Sequence, residues 1–153
     1  MKSIDPHMHT AEHILNQTMV RTLGCGRCFS AHIEKKKSKC DYRVAPPPTP
    51  EQIRAIETQV NKIIQADLEI RADTLTRADA LQQFDLQRLP EEAGDTIRIV
   101  HVGNYDACPC VGTHAARTGE LGAFRITTWD VHDDILRIRF KLDRSAAASP
   151  LDK

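Results

Sequence analysis

His9 and His13 stand four residues apart, and Cys110 and His114 repeat that interval in the second half of the chain. Residues at i and i+4 of a helix share one face, so His9 and His13 can aim two imidazole nitrogens at one point. A thiolate and three imidazoles form a donor set that suits Zn2+, one ion per chain, with three or four protein ligands. With all four bound the site is closed and structural. With one position open to water or substrate it is catalytic, and the spacing leaves both open. Cys108, across Pro109 from Cys110, is an alternative sulfur.

The first pair needs a helix. Ile14, Leu15, Thr18, Met19 and Leu23 recur at helical spacing before Gly24, which predicts a helix from about residue 7 to 23. Residues 28–44 alternate around Lys35-Lys36-Lys37 and read as a hairpin with a basic tip. The proline run 46–50 is a stiff connector with Thr49 as N-cap and Pro50 at the first helical position, followed by an amphipathic helix from Glu51 to about Ala66. Leu68–Ala72 reads as a short strand, and Arg77–Phe84 as a short helix with Ala78, Leu81 and Phe84 on one side. After a turn at Pro90 and Gly94, strands are expected at 96–102, 122–129 and 135–142, the first leading towards Cys110. Helices mixed with antiparallel-looking strands favour an α+β fold. One domain is expected over 1–144, with an Ala- and Ser-rich tail at 145–153.

At 153 residues the chain can bury a full core without needing a metal or disulfide merely to fold. Lys plus Arg (21) equals Asp plus Glu (21), so net charge neither favours nor excludes a nucleic-acid partner. The local run Lys35, Lys36, Lys37, Lys39 and Arg43 is a candidate phosphate-facing patch, or a solvated turn. No stretch reaches the about 18 apolar residues of a membrane span, and residues 1–6 lack the apolar core of a signal peptide, which predicts a cytoplasmic protein without membrane contact. In that compartment the five cysteines are thiols or ligands. Cys25-Gly26-Arg27-Cys28 is a C-x-x-C with Cys40 and Cys108 as conceivable partners. Following a helix and opening a strand, it reads as a tight turn carrying small apolar thiols. His7, His101 and His132 read as exposed, whereas His32 is placed to line a cavity beside the metal. Glu12 reads as a solvated helix carboxylate, because its neighbour His13 faces about 100° away from it.

His9-Thr10-Ala11-Glu12-His13-Ile14-Leu15 with Cys110-Val111-Gly112-Thr113-His114 resembles the H-x-x-x-H and C-x-x-x-H signatures of the editing domains of alanyl- and threonyl-tRNA synthetases, whose free-standing versions are the AlaX trans-editing proteins. Residues 118–126, Thr-Gly-Glu-Leu-Gly-Ala-Phe-Arg-Ile, resemble the T-G-E-I-G-x-F-K-I segment that follows the cysteine motif there. Phe29-Ser30-Ala31-His32-Ile33 resembles the family's strand near the amino-acid pocket. Val111 stands where the family has the first of two glycines.

The resemblance implies helices packed on a curved antiparallel sheet around a zinc cleft, and a protein of the shortest AlaX class acting in trans. It also implies hydrolysis of the ester of a mischarged tRNA, above all seryl-tRNA(Ala), with glycyl-tRNA(Ala) as a second substrate. The alternatives are a non-catalytic zinc-stabilised tRNA- or synthetase-binding module, and a deacylase for another substrate such as seryl-tRNA(Thr). A group that hydrogen-bonds the serine hydroxyl would discriminate against alanine, and Thr10, Ser30, His32 and Thr113 are the candidates. Lys35, Lys36, Lys37, Lys39 and Arg43 are the expected contacts to the tRNA phosphates.

Overall fold

The computed structural model describes residues 5–84 and 95–144. Helix α1 (Pro6–Leu23) opens on Asp5, whose carboxylate accepts from the Met8 amide at 2.9 Å, and closes on Gly24 in the left-handed region, φ 68°. A Cβ is disfavoured in that conformation, so glycine ends the helix there. Met8 to Asn16, Thr18 and Met19 are all buried, so α1 has no broad solvent face and runs through the middle of the protein.

Strands β1 (Ser30–Ile33) and β2 (Ser38–Arg43) form the basic-tipped hairpin. Helix α2 (Pro50–Gln65) begins with a reciprocal capping box between Thr49 and Gln52 and turns Ile53, Ile56, Val60 and Ile64 inward. Strand β3 (Ile70–Thr76) starts later and runs further than the 68–72 segment expected from sequence. Helix α3 (Arg77–Gln83) follows. Its buried residue is Ala80, packed with Ile97 and Ile99, while Ala78 and Leu81 are exposed. The apolar side expected at Ala78, Leu81 and Phe84 is therefore corrected to Ala80 and Phe84, an i, i+4 pair.

Strand β4 (Thr96–Val102) is followed by β5 (Asp106–Pro109), a short strand not anticipated from sequence because its Cys-Pro ending breaks the alternation. It lies at a sheet edge, where proline's missing amide costs no ladder bond. A 3-10 turn (Thr118–Leu121) leads into β6 (Ala123–His132) and β7 (Ile135–Asp143). The fold is α+β. Its antiparallel strands divide into two open sheets, β1-β2-β7-β6 and β3-β4-β5, rather than one curved sheet. The main core joins α1 and α2 to β2, β6 and β7 through Ile14, Leu15, Ile56, Tyr42, Phe124, Leu136 and Phe140. The Pro90–Gly94 turn and the 145–153 tail expected from sequence lie outside the described residues.

Candidate metal centre

Helix α1 carries His9 and His13 on one buried face, and the β4–β5 hairpin carries Cys110 to that face. Immediately after β5, the Cys110 amide donates to the Arg98 carbonyl at 3.1 Å. The Arg98 guanidinium donates to the Gly112 carbonyl at 2.6 Å and the Cys110 carbonyl at 3.3 Å. These contacts hold the 110–114 loop against α1. One donor atom from each of His9, His13, Cys110 and His114 lies within 4.8 Å of every other. Cys110 Sγ is 3.3 Å from His9 Nε2, and the His9 and His114 rings stack with centroids 4.2 Å apart.

Two of the three rings set their outward nitrogen against an acceptor, and the third has a carboxylate nearby. His9 Nδ1 is 3.2 Å from the Thr113 carbonyl, which only accepts, so Nδ1 carries the proton and Nε2 keeps its lone pair. Thr10 Oγ1 donates to the Pro6 carbonyl at 2.9 Å and accepts from the Ala115 amide at 3.0 Å. With its proton committed, it can only accept from His114 Nδ1, 3.5 Å away. That leaves His114 Nε2 as a lone pair, buried and without a hydrogen-bond partner. His13 Nδ1 lies 3.4 Å from Asp106 Oδ2, within ion-pair distance but off-line for a hydrogen bond. An orphaned buried nitrogen beside a sulfur and two further imidazoles is the arrangement that a zinc ion would complete.

Burial works against ionising the Cys110 thiol, but its contacts with His114, His13 and His9 outweigh that and bring it down to about 3. Burial lowers His13, yet the Asp106 carboxylate and the Cys108 and Cys110 sulfurs raise it further, so the balance lies well above the ordinary histidine value. His114 is lowered by burial and by the other two imidazoles, despite an opposing contact with Cys110. The three imidazoles thus favour the thiolate of Cys110, the form that binds metal. Cys110 is the sulfur in the four-residue group, while Cys108 stands outside it, against His13.

The other residues read from sequence divide clearly. Thr10 sits inside the site, but its hydroxyl is fully used in supporting His114 and the Ala115 amide. Thr113 contributes its carbonyl to His9, and its side chain is exposed. Ser30 and His32 occupy the exposed face of β1, opposite Ala31 and Ile33, so His32 does not line a buried cavity. Lys35, Lys36 and Lys37 are exposed at the hairpin tip, Lys39 is half-buried, and Arg43 lies over the Phe29 ring at 4.4 Å. His7 and His101 are half-buried and paired with Glu120 and Asp73, while His132 is exposed.

Glu12 requires a correction. It is buried, with Oε1 3.9 Å from His9 Nε2 and Oε2 accepting from the Cys28 thiol at 3.3 Å. It has no solvent to face because α1 is enclosed on nearly every side. Glu12, Cys28 and Cys40 form a second compact group of donors. Contact with Cys28 and burial push the Cys40 thiol well up, which favours its packing as a small apolar group. None of the five cysteines is in a disulfide, and Cys25 faces the Met19 carbonyl rather than Cys28.

Sequence reasoning missed Asp106, Arg27 and Gln17. The Asp106 side chain is fully buried. Its Oδ1 accepts from Arg27 at 2.6 Å and Gln17 at 2.9 Å, and its Oδ2 accepts from Arg27 at 3.2 Å. Burial opposes its ionisation, but His13 and Arg27 hold it far below the usual carboxylate range. The available signal was chemical rather than positional, since a ligating histidine needs an acceptor on its second nitrogen.

Residues 97–145 match the family described as the Threonyl and Alanyl tRNA synthetase second additional domain. The alanine–tRNA ligase of Coxiella burnetii is 34% identical over 122 residues, covering 78% of this chain and 14% of that protein. That of Ignicoccus hospitalis is 34% identical over 137 residues, covering 86% and 15%. The Legionella pneumophila enzyme is 29% identical over 142 residues, covering 92% and 16%. The chain belongs to the second-additional-domain family. It spans about one-seventh of the length of these relatives. Val111 and Gly112 follow the cysteine, and the geometry separates the two positions. A Cβ on Gly112 would lie 2.4 Å from His9 Cε1, whereas the Val111 side chain is exposed.

Proposed function

We propose that this domain is an aminoacyl-tRNA deacylase that hydrolyses mischarged tRNA(Ala), above all seryl-tRNA(Ala), acting in trans with one Zn2+ held by His9, His13, Cys110 and His114. The observation that carries this reading is the convergence of the Cys110 sulfur with three imidazoles, two of which set their other nitrogen against an acceptor. Membership of a synthetase domain family supplies the tRNA-related role. Zinc in such a setting supplies Lewis acidity, or water acidified to a pKa of about 7.

The chain's own residues have separate tasks in this reading. Cys110 and His114 are half-buried and His9 and His13 buried, so substrate approaches from the side of the 110–114 loop. Thr113, whose hydroxyl is exposed beside the ligands, reads the serine hydroxyl. Thr10 positions His114 instead. Ser30 and His32 share the hairpin with Lys35, Lys36, Lys37, Lys39 and Arg43, and contact the acceptor end while the cations meet its phosphates.

The test is deacylation of seryl-, glycyl- and alanyl-tRNA(Ala) and of seryl-tRNA(Thr) by the wild type, Cys110→Ala and His9→Ala. The expected result is rapid loss of seryl-tRNA(Ala), slow loss of alanyl-tRNA(Ala), and inert variants. A wild type that binds zinc stoichiometrically yet leaves all four intact would sink the editing reading and favour a tRNA- or synthetase-binding module. Preference for seryl-tRNA(Thr) would reassign the substrate.

A further inference from the structure

We propose that Asp106 is a positioning residue for the metal centre, with Arg27 and Gln17 as its anchors: it holds the Nδ1 proton of His13 and so presents Nε2 to the metal. The inference rests on the metal site proposed above. It concerns three residues that the ligand motifs do not contain.

The geometry gives Asp106 little freedom to do anything else. Its side chain has no solvent exposure, and both oxygens are engaged by groups from elsewhere in the chain. Arg27 grips it with two nitrogens, and Gln17 adds a third donor from α1. A planar guanidinium against a carboxylate fixes the plane of the acid as well as its position. Oδ2 also lies 3.4 Å from His13 Nδ1, within ion-pair distance. Ligating histidines ordinarily hand their second ring proton to a carboxylate or carbonyl, which sets tautomer and ring orientation. Thr113 O and Thr10 Oγ1 fill that place for His9 and His114, and for His13 the Asp106 carboxylate stands within ion-pair distance of Nδ1, a shift of the ring away from a hydrogen bond that a bound metal would draw into line. The ion pair with Arg27 also offsets the charge of the buried carboxylate, so Asp106 orients the ring without adding net negative charge beside Cys110.

Asp106→Asn separates orientation from packing. The variant is nearly isosteric, and its amide oxygen is claimed by the two shortest donors, Arg27 at 2.6 Å and Gln17 at 2.9 Å. The amide nitrogen is then left opposite His13 Nδ1. There it donates, which favours the tautomer with the proton on Nε2, the atom needed for the metal. Replacing the carboxylate of a hydrogen-bonded catalytic pair by its amide produces this wrong-tautomer effect in a Ser-His-Asp enzyme.

The experiment is zinc affinity of the full chain by competition with a chromophoric chelator, together with 15N NMR of the histidine rings in the zinc-loaded wild type. The expected result is an Asp106→Asn affinity about 10- to 100-fold weaker than wild type. In the wild-type spectrum His13 is expected to be bound through Nε2 and protonated on Nδ1. Affinities equal within twofold, or His13 bound through Nδ1, overturn the proposal while leaving the zinc site in place. A wild type that takes up no zinc overturns the site and this role together. Should Asp106→Asn fail to fold, the wild-type spectrum decides alone.

Discussion

Gly112 and Val111 show how closely a ligand can depend on an atom that is missing. His9 is held by the Thr113 carbonyl on one nitrogen and faces Cys110 with the other, so its ring has no room to retreat. Gly112→Ala places a methyl 2.4 Å from His9 Cε1 and is expected to weaken zinc binding at least tenfold, by chelator competition. Val111→Gly, at an exposed position, is expected to leave that affinity unchanged and to alter stability by less than about 0.5 kcal/mol. Thr10 makes a complementary case. Its hydroxyl serves the Pro6 carbonyl, the Ala115 amide and His114 at once. Thr10→Val keeps the shape and removes all three contacts, so urea unfolding should show a loss of about 1–3 kcal/mol, largely restored in Thr10→Ser.

The elements that carry these residues are joined by polar side chains at the places where backbone would otherwise go unpaired. Strand β6 lies at the edge of its sheet, and α2 covers that edge. Asn61 donates to the Phe124 carbonyl at 2.9 Å and accepts from the Phe124 amide at 2.8 Å, while Glu57 accepts from the Ile126 amide. This imitates a ladder partner and blunts an exposed edge. Asn61→Leu should cost about 1–3 kcal/mol in urea unfolding, because two backbone groups lose their partner. Between β2 and β7 the tie is ionic. Arg137 donates to both oxygens of Asp41 and holds its carboxyl below the ordinary range, against a smaller opposing effect of burial. The unfolded chain, with aspartate near about 3.9, therefore takes up its proton first as pH falls. Asp41 adds stability above that value and loses it as pH drops through the lower folded-state value. Asp41→Asn is expected to be less stable at pH 7, with a shallower decline of stability between about pH 4 and pH 2, by denaturant titration across that range.

For the molecule as a whole, the main core lies between α1, α2 and the β1-β2-β7-β6 sheet, and its apolar residues pack apart from the candidate metal ligands. The four candidate ligands lie where α1 meets the end of the other sheet. Metal removal is expected to leave the fold intact by far-ultraviolet circular dichroism while lowering Tm. Restoring zinc at 100 times its Kd should return about 2.7 kcal/mol of stability. Unfolding on chelation would identify the zinc as a structural clamp instead.

The sequence by itself determined the elements whose signals are local. Gly24 ends α1 through its left-handed backbone, Thr49 and Pro50 begin α2, and the alternation of 135–142 marks β7. It also determined which four side chains could meet, since i, i+4 spacing and donor chemistry are properties of short segments. Tertiary structure decided what surrounds them. Glu12 is buried because β-strands and α2 enclose a helix whose sequence has only a weak polar side. Thr10 becomes a support because the 113–115 backbone returns to it, and Ser30 and His32 face outward because β1 places Ala31 and Ile33 on the core. Asp106 reaches His13 only through the β4–β5 hairpin, and Arg27 reaches Asp106 across 79 residues of chain. Such contacts depend on where separate elements come to rest, and no spacing within either segment encodes them.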